Sequence, residues 1–319
     1  METSFKRFKY RVAIPTAISF LNTCLGKRGK NNSKKNYRDP FFIVGSGRNG
    51  STLLGSILNA HSQVFLPPEQ YILGYDVMKW QLLRHKSWEA IVDEIVKDYN
   101  QEKSTCNWGV DFNDSVKTIL LGLSKEEQNF ANIYGVLIQF YAKQLNTTFE
   151  FYGDQSPIST HLIPRICEAF TESKFVFLIR DPRDVVLSYS KISNHPAKDW
   201  KLAVWKWNDS IKMFDYVQKK YGKEKVLILK YEDLVTNPEE KVKEVCSFLS
   251  ISFEKENMME RRTDSAQKLG VENLSIHANL KKKISASSVG KWKKELSKDV
   301  ISCVENETRE GMLRFGYDL

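Results

Sequence analysis

The stretch PFFIVGSGRNGSTLLGSIL, residues 40 to 58, constrains this chain more than any other. Phe41 to Val44 is a short apolar run that stops at a glycine, the pattern of a strand buried on both faces of a parallel sheet. Leu53, Leu54, Ile57 and Leu58 then recur at helical spacing. Between them, Gly45 to Thr52 reads G-x-x-x-x-G-S-T. Strand, glycine loop and helix in that order offer backbone N–H groups and the positive end of a helix to an anion. A nucleoside-triphosphate loop places a lysine just before its last Ser or Thr. Here Ser51 stands at that position, and the cation inside the loop is Arg48, whose planar fork suits an oxyanion. The pattern fits one phosphate carrying an attached tetrahedral anion, and it offers no obvious magnesium ligand.

A second anion element follows. KFVFLI, residues 174 to 179, reads as another buried strand, with Arg180 at its end. Asp181 then caps a helix, Pro182 fills its first turn and Asp184 lies near its positive end. Ser188 comes two turns into that helix, where it and Arg180 face one further phosphate. KVLILKYEDL, residues 225 to 234, reads as a third strand, and TNPEEKVKEVCSFL as a helix with Asn237 as cap, Pro238 first and Glu240 third. Trp88, Ile91, Ile95 and Tyr99 share one helical stripe. Trp200, Val204, Trp207, Ile211 and Phe214 share another, which favours core packing for both tryptophans over an acceptor cleft.

Strands alternating with helices predict an α/β fold of three layers. A central, mostly parallel sheet is flanked by helices, as in P-loop nucleotide-binding proteins, and ligands sit at the carboxyl ends of the strands. Residues 40 to 319 form one domain on this reading, with no internal repeat.

The net charge of +9 suggests a nucleic-acid partner until it is mapped. Residues 1 to 39 hold ten Lys or Arg against Glu2 and Asp39, leaving 38 basic and 37 acidic groups in the remainder. The body is near neutral, and no nucleic-acid partner is expected. The apolar segment Val12 to Leu25 is fourteen residues long and contains Pro15, short of the roughly 20 that cross a bilayer. LNTCLGK is a poor leader-cleavage site. Residues 1 to 39 therefore read as a basic arm, either disordered or in peripheral contact with an anionic membrane. The expected location is cytoplasmic or membrane-peripheral. The five cysteines lie at least 57 positions apart, which excludes a CxxC metal clip and suits a reducing compartment. The five histidines are equally scattered, and no metal site is expected.

Taken together, these elements resemble the sulfotransferases that use 3′-phosphoadenosine 5′-phosphosulfate (PAPS). RNGST, Arg48 to Thr52, is similar to that superfamily's 5′-phosphosulfate loop. Arg180 followed eight positions on by Ser188 is similar to its 3′-phosphate element. LKYEDLVTNPEEKV resembles its YEDL segment, whose tyrosine, here Tyr231, lies near the nucleotide. SSVGKWKKELS resembles the G-x-W segment that covers the donor, with Gly290, Lys291 and Trp292. The resemblance spans about residues 40 to 319. It implies PAPS as co-substrate, no metal, and donor contacts from Arg48, Asn49, Gly50, Ser51, Thr52, Arg180, Ser188, Tyr231 and Lys291. One departure stands out. Where cytosolic members carry an Arg-Lys-Gly triplet that grips the 3′-phosphate, this chain has Ser285, Ala286 and Ser287. Lys291, Lys293 or the run Lys281 to Lys283 are the candidate substitutes.

For catalysis, the resemblance points to Arg48 as the group that stabilises the leaving phosphate. Two residues compete as base. Glu69 in LNAHSQVFLPPEQ sits twenty-one positions after Arg48, the offset of the catalytic glutamate in protein-tyrosine sulfotransferases. His161 in SPISTHLIP resembles the histidine of the cytosolic hydroxysteroid and phenol group. Glu69 is preferred. Gln155 in YGDQSP replaces a lysine of the related GDKSP segment. The expected reaction is sulfuryl transfer from PAPS to a hydroxyl or amine of a carbohydrate, lipid, peptide or small alcohol, the first two preferred. A nucleotide kinase or NTPase, and a non-catalytic binder of adenosine 3′,5′-bisphosphate (PAP), are the alternatives.

Overall fold

A computed structural model describes residues 34–101, 108–192, 195–260 and 284–319. The chain falls into two compact units. The first to be considered is α/β and is built from Pro40–Glu69, Phe149–Ile163 and Glu172–Leu319. Its strands are β1 (Phe41–Gly45), β2 (Val64–Phe65), β3 (Phe151–Asp154), β4 (Phe175–Ile179) and β5 (Val226–Lys230). They form one sheet in the order β2-β3-β1-β4-β5, every pair parallel. Register sets Gly45 beside Leu178 and Ile179 beside Lys230, so the ends of β1, β4 and β5 lie along one edge.

Alternation along the strands explains why both faces are covered. Phe41 and Ile43 of β1 and Val176 and Leu178 of β4 pack with Leu54, Ile57 and Leu58 of α1 (Ser51–Leu58). The same cluster takes in Leu234, Val242, Val245 and Leu249, from segments that follow β5. On the other face, Ile179 joins Val185, Val186, Val204, Trp207, Val304 and Met312. Apolar residues pointing both ways are what a sheet buried between two helical layers requires.

The second unit comprises Gln70–Thr148 and Pro164–Thr171, together with residues 34–39 from the expected arm. It is helical among the described residues: α2 (Leu73–Leu83), α3 (Trp88–Gln101), α4 (Asp114–Leu121), α5 (Phe130–Gln144) and most of α6 (Ile163–Ala169). Its interior sets a cluster of aromatic rings among aliphatic side chains. Trp108 stacks on Tyr141 at 5.0 Å, and Tyr99 and Phe112 meet Trp108 at 5.5 and 6.0 Å. The amide of Asn36 donates to Asn132 Oδ1 at 2.7 Å, and the Tyr37 ring lies where a Cβ on Gly135 would be. Residues 1–33 of the expected arm lie outside the described residues.

The α/β unit continues through α7 (Pro182–Ser190), α8 (Trp200–Tyr221), α9 (Tyr231–Thr236), α10 (Pro238–Leu249), α11 (Trp292–Glu295) and α12 (Lys298–Arg314). Two sequence expectations are revised here. The strand expected over residues 225 to 234 stops at Lys230, and Tyr231–Thr236 is helical. Glu232 and Asp233 fall in the first turn of α9, where acidic side chains favour helix over extension. Asn237 does stand at the start of α10, but its side chain makes no capping bond. It also closes α9, its amide donating to the Asp233 carbonyl at 2.8 Å, and that double duty fixes its backbone outside capping geometry.

Candidate active site

The chain leaves β1 toward β2 and β3 on one side of the sheet, and returns to β4 on the other. The crevice above the carboxyl ends of β1 and β4 is therefore a topological switch point, the usual ligand position in such a sheet. Both arginines singled out in the sequence lie at this crevice.

The loop after β1 is held in an unusual backbone path. Gly47, Arg48 and Gly50 all take the left-handed conformation, with φ of 74°, 55° and 96°. A Cβ on Gly47 would meet the Tyr189 hydroxyl at 2.3 Å, and one on Gly50 would meet the Tyr231 ring at 2.5 Å. Glycine is thus required twice, by φ and by the approach of an aromatic side chain. Asn49 spends its side-chain amide on the Leu178 carbonyl, 2.7 Å away, stapling the loop to β4. Thr160 holds the loop's start, its hydroxyl bonding both the amide and the carbonyl of Gly45 at 2.9 Å. Ser51 is buried and Thr52 half-buried in the first turn of α1. That helix start has no side-chain cap and no acidic residue. By contrast, α7 is capped by Asp181, whose carboxylate accepts from the Arg183 amide, as its sequence predicted.

Arg48 donates from Nε to Ser188 Oγ at 3.1 Å, joining the loop to α7. Burial pushes its guanidinium pKa down, and the Arg180 charge adds to that while Tyr189 and Glu69 oppose it. Arg180 gives one Nη to the Arg48 carbonyl at 3.0 Å and the other to the Ser288 carbonyl at 2.6 Å. Its guanidinium lies 4.5 Å from the centre of the Tyr231 ring, and the Tyr231 hydroxyl is 2.5 Å from Ser288 Oγ. Arg180 Nε is buried with no hydrogen-bond partner among the described residues. Asp184 Oδ2 is 4.0 Å from Arg180 and accepts from the Gly290 amide at 2.7 Å, while its other oxygen accepts from the Trp292 amide at 3.1 Å. Ser288, Gly290 and Trp292 are in this way clasped over the start of α7.

Several assignments can now be placed. Arg48, Asn49, Gly50, Arg180, Ser188 and Tyr231 come together at one crevice, and Glu69 is within electrostatic range of Arg48, Tyr189 and Lys206. Ser188 is engaged by Arg48, not paired with Arg180. Lys291 is exposed in the turn before α11, and Lys293 lies 5.6 Å from the Trp292 ring centre. Ser285 and Ser287, at the triplet position, are exposed and face each other across 3.0 Å. Lys281 to Lys283 lie outside the described residues. His161 Nδ1 is 2.6 Å from Asp209 Oδ2, and its ring sits 4.9 Å from Trp205. Gln155 fills the space a Cβ on Gly55 would take, and its amide atoms are buried without hydrogen-bond partners among the described residues. Trp207 is core, as its spacing indicated, its indole N–H donating to the Arg180 carbonyl at 2.8 Å.

Asp184 as the clasp, Ser288, and the pair Tyr189 and Lys206 escape sequence reasoning. Each acquires its role from a partner outside its own local pattern. Among the described residues no cluster of His, Cys, Asp or Glu could hold a metal, and no helix is long and apolar enough to cross a membrane.

An anion suits this crevice on physical grounds. Two guanidinium groups converge beside an uncapped helix start, Arg180 disfavours the charge of the buried Arg48, and a buried Arg180 donor lacks an acceptor among the described residues. An anion there relieves all three costs.

Comparison with known proteins identifies the family and agrees with the fold. The model of the Sulfotransferase family matches residues 40–255. A protein-tyrosine sulfotransferase of Drosophila melanogaster is 24% identical over 216 residues, 66% of this chain and 38% of that protein. Protein-tyrosine sulfotransferase A of Caenorhabditis elegans is 21% identical over 294 residues, 89% of this chain and 68% of that protein. The chain thus spans well under half the length of the first relative and about two thirds of the second. Among solved structures, the sulfotransferase domain from the curacin biosynthetic pathway superposes with a TM-score of 0.58 at 21% identity, over 88% of this chain and 99% of that one. That superposition agrees with the predicted parallel sheet flanked by helices.

Proposed function

The chain belongs to the sulfotransferase family, and from that premise we propose that the crevice above β1 and β4 binds PAPS and transfers its sulfuryl group to an acceptor hydroxyl or amine. The observation that carries this reading is the convergence of Arg48 and Arg180 on the uncapped start of α1. PAPS supplies an electrophilic sulfuryl group and a phosphate that leaves without needing a proton.

The chain's own residues supply position and charge. Arg48, steadied by Ser188, offsets the negative charge that builds on the leaving phosphate. Arg180, stacked on Tyr231 and tied to Ser288, holds the nucleotide's second phosphate and fixes the 288–292 segment over it. The amides at the start of α1 accept the phosphosulfate end. Glu69, within electrostatic range of Arg48 and Lys206, takes the proton from the acceptor. His161, whose Nδ1 faces Asp209 Oδ2 at 2.6 Å, is the alternative base.

The names of the relatives support a protein-tyrosine or a carbohydrate acceptor, and the domain is expected to act on a hydroxyl of a carbohydrate, lipid, peptide or small alcohol. The test is incubation with PAPS labelled with ³⁵S against tyrosyl peptides, oligosaccharides, lipids and small alcohols. Transfer to one class assigns the acceptor. Retained PAP binding without transfer to any would make the chain a non-catalytic binder. Magnesium-dependent ATP turnover in place of PAP binding would overturn the reading.

A further inference from the structure

The glycine loop lacks its lysine, yet a lysine reaches the loop from another element. Lys206 lies on α8 and donates from Nζ to the Tyr189 hydroxyl at 2.9 Å. That hydroxyl donates in turn to the Ser46 carbonyl at 2.8 Å, inside the loop. It also occupies the space beside Gly47 that a Cβ would fill. The ammonium sits 5.0 Å from the centre of the Tyr189 ring, so it leans over the ring as well as bonding its oxygen. Placing a lysine behind a phosphate loop, bonded to a neutral phenol, costs desolvation that Glu69 offsets only in part.

We infer that Lys206 is a positioning residue for the transfer reaction: charged, it locks Tyr189 onto the loop and adds its field to that of Arg48 at the donor's phosphosulfate end. The inference rests on the reading of the crevice as a PAPS site. It accounts for Ser51 at the loop's lysine position, because the missing cation is delivered from helix α8 through a tyrosine.

The electrostatic setting makes the idea measurable. Burial, opposed by Glu69 and joined by Arg48, lowers the Lys206 pKa to about 8. The other titratable groups around it are quiet in this window. His195, stacked on Tyr189 at 5.0 Å, is held below the usual histidine range by burial, Lys206 and Arg48, and is neutral above pH 7.5. Tyr189 is pushed up by burial and keeps its proton. Arg48 stays cationic. The nucleotide's phosphates are already ionised there, their second pKa being about 6. Arrival of an anion restores the charged form of Lys206, so PAP binding at pH 8.5 draws a proton from solution.

Calorimetry of PAP binding at pH 8.5, in buffers of different ionisation enthalpy, reads that proton directly and needs no turnover. Uptake of a substantial fraction of a proton is expected for the wild type and none for Lys206→Met. Lys206→Arg, which keeps the charge throughout, is expected to show no uptake and to bind PAP within about threefold of wild type at pH 7. Lys206→Met is expected to bind about tenfold more weakly there, as for a lost hydrogen bond to a charged group. Tyr189→Phe leaves the ammonium but cuts its link to Ser46, so it keeps the proton uptake while losing affinity. PAP binding of equal strength in all variants with no uptake in the wild type would overturn the role of Lys206 and leave the donor site standing. Failure of the wild type to bind PAP would overturn both.

Discussion

The α/β unit and the helical unit are comparable in their dependence on buried aromatic and aliphatic side chains, and differ in where they bury charge. In the α/β unit the buried or half-buried charged groups Arg48, Arg180, Arg183 and Asp184 are gathered where β1 and β4 end. Each is tied to backbone or to a neighbouring side chain, as Arg183 is to Asp181 and Glu305. In the helical unit, Asp76 of α2 is buried near Asp98 of α3, Lys79 pairs with Asp98, Arg84 is buried, and the remaining interior is largely aliphatic with a cluster of aromatic rings. Chemistry fixes a few residues at strand ends. Packing fixes only size and apolarity, so many sequences satisfy it.

The comparison breaks if substitutions in the first unit act on stability or those in the second on chemistry. The largest effect is expected from Arg48→Ala, with single-turnover sulfuryl transfer falling about 10³-fold, the scale of losing a preorganised charge donor. Its melting temperature should stay close to that of the wild type, because among the described residues the Arg48 side chain bonds Ser188 alone. Glu69→Gln follows, losing about 10²-fold or more in turnover with unchanged PAP affinity, measured by kinetics and calorimetry on one preparation. Full turnover in that variant would move the base to His161. In the helical unit, Trp108→Ala should cost about 3 kcal/mol in denaturant unfolding, since it strips the ring on which Tyr99, Phe112 and Tyr141 pack. Ser188→Ala should weaken transfer by about tenfold or less, the value of one hydrogen bond to Arg48.

The smallest effect concerns pH. Burial, followed by the hydrogen bond to Asp98, raises the Asp76 pKa well above the usual carboxylate range. Its neutral form is thus favoured by the fold, and stability is lost as pH rises from the unfolded pKa through the raised folded one. Asp76→Asn should remove that slope, read as a melting temperature that changes less between pH 4 and pH 8.

Legibility in the sequence follows the same division. Phe41 to Val44, residues 174 to 179 and the Asp181-Pro182 start of α7 announced themselves because strand, turn and cap each leave a local pattern. Arg180 was readable because it follows a strand directly, and Arg48 because it lies in the glycine loop that follows one. Asp184 was visible only as a first-turn acid, since its two amide partners lie 106 and 108 positions away. Lys206 sat unnoticed in an amphipathic helix, its partner Tyr189 belonging to α7. Of the helical unit only the stripe of α3 could be read, for its packing depends on rings that come together from separate helices.

Arg180 carries an implication for anyone recombining this protein. One guanidinium pins two stretches of backbone at once, through the carbonyls of Arg48 and Ser288. Neither stretch is an independent module. A chimera importing a foreign closing segment must present a carbonyl at the place of Ser288, or that guanidinium loses one of the two contacts through which it joins them.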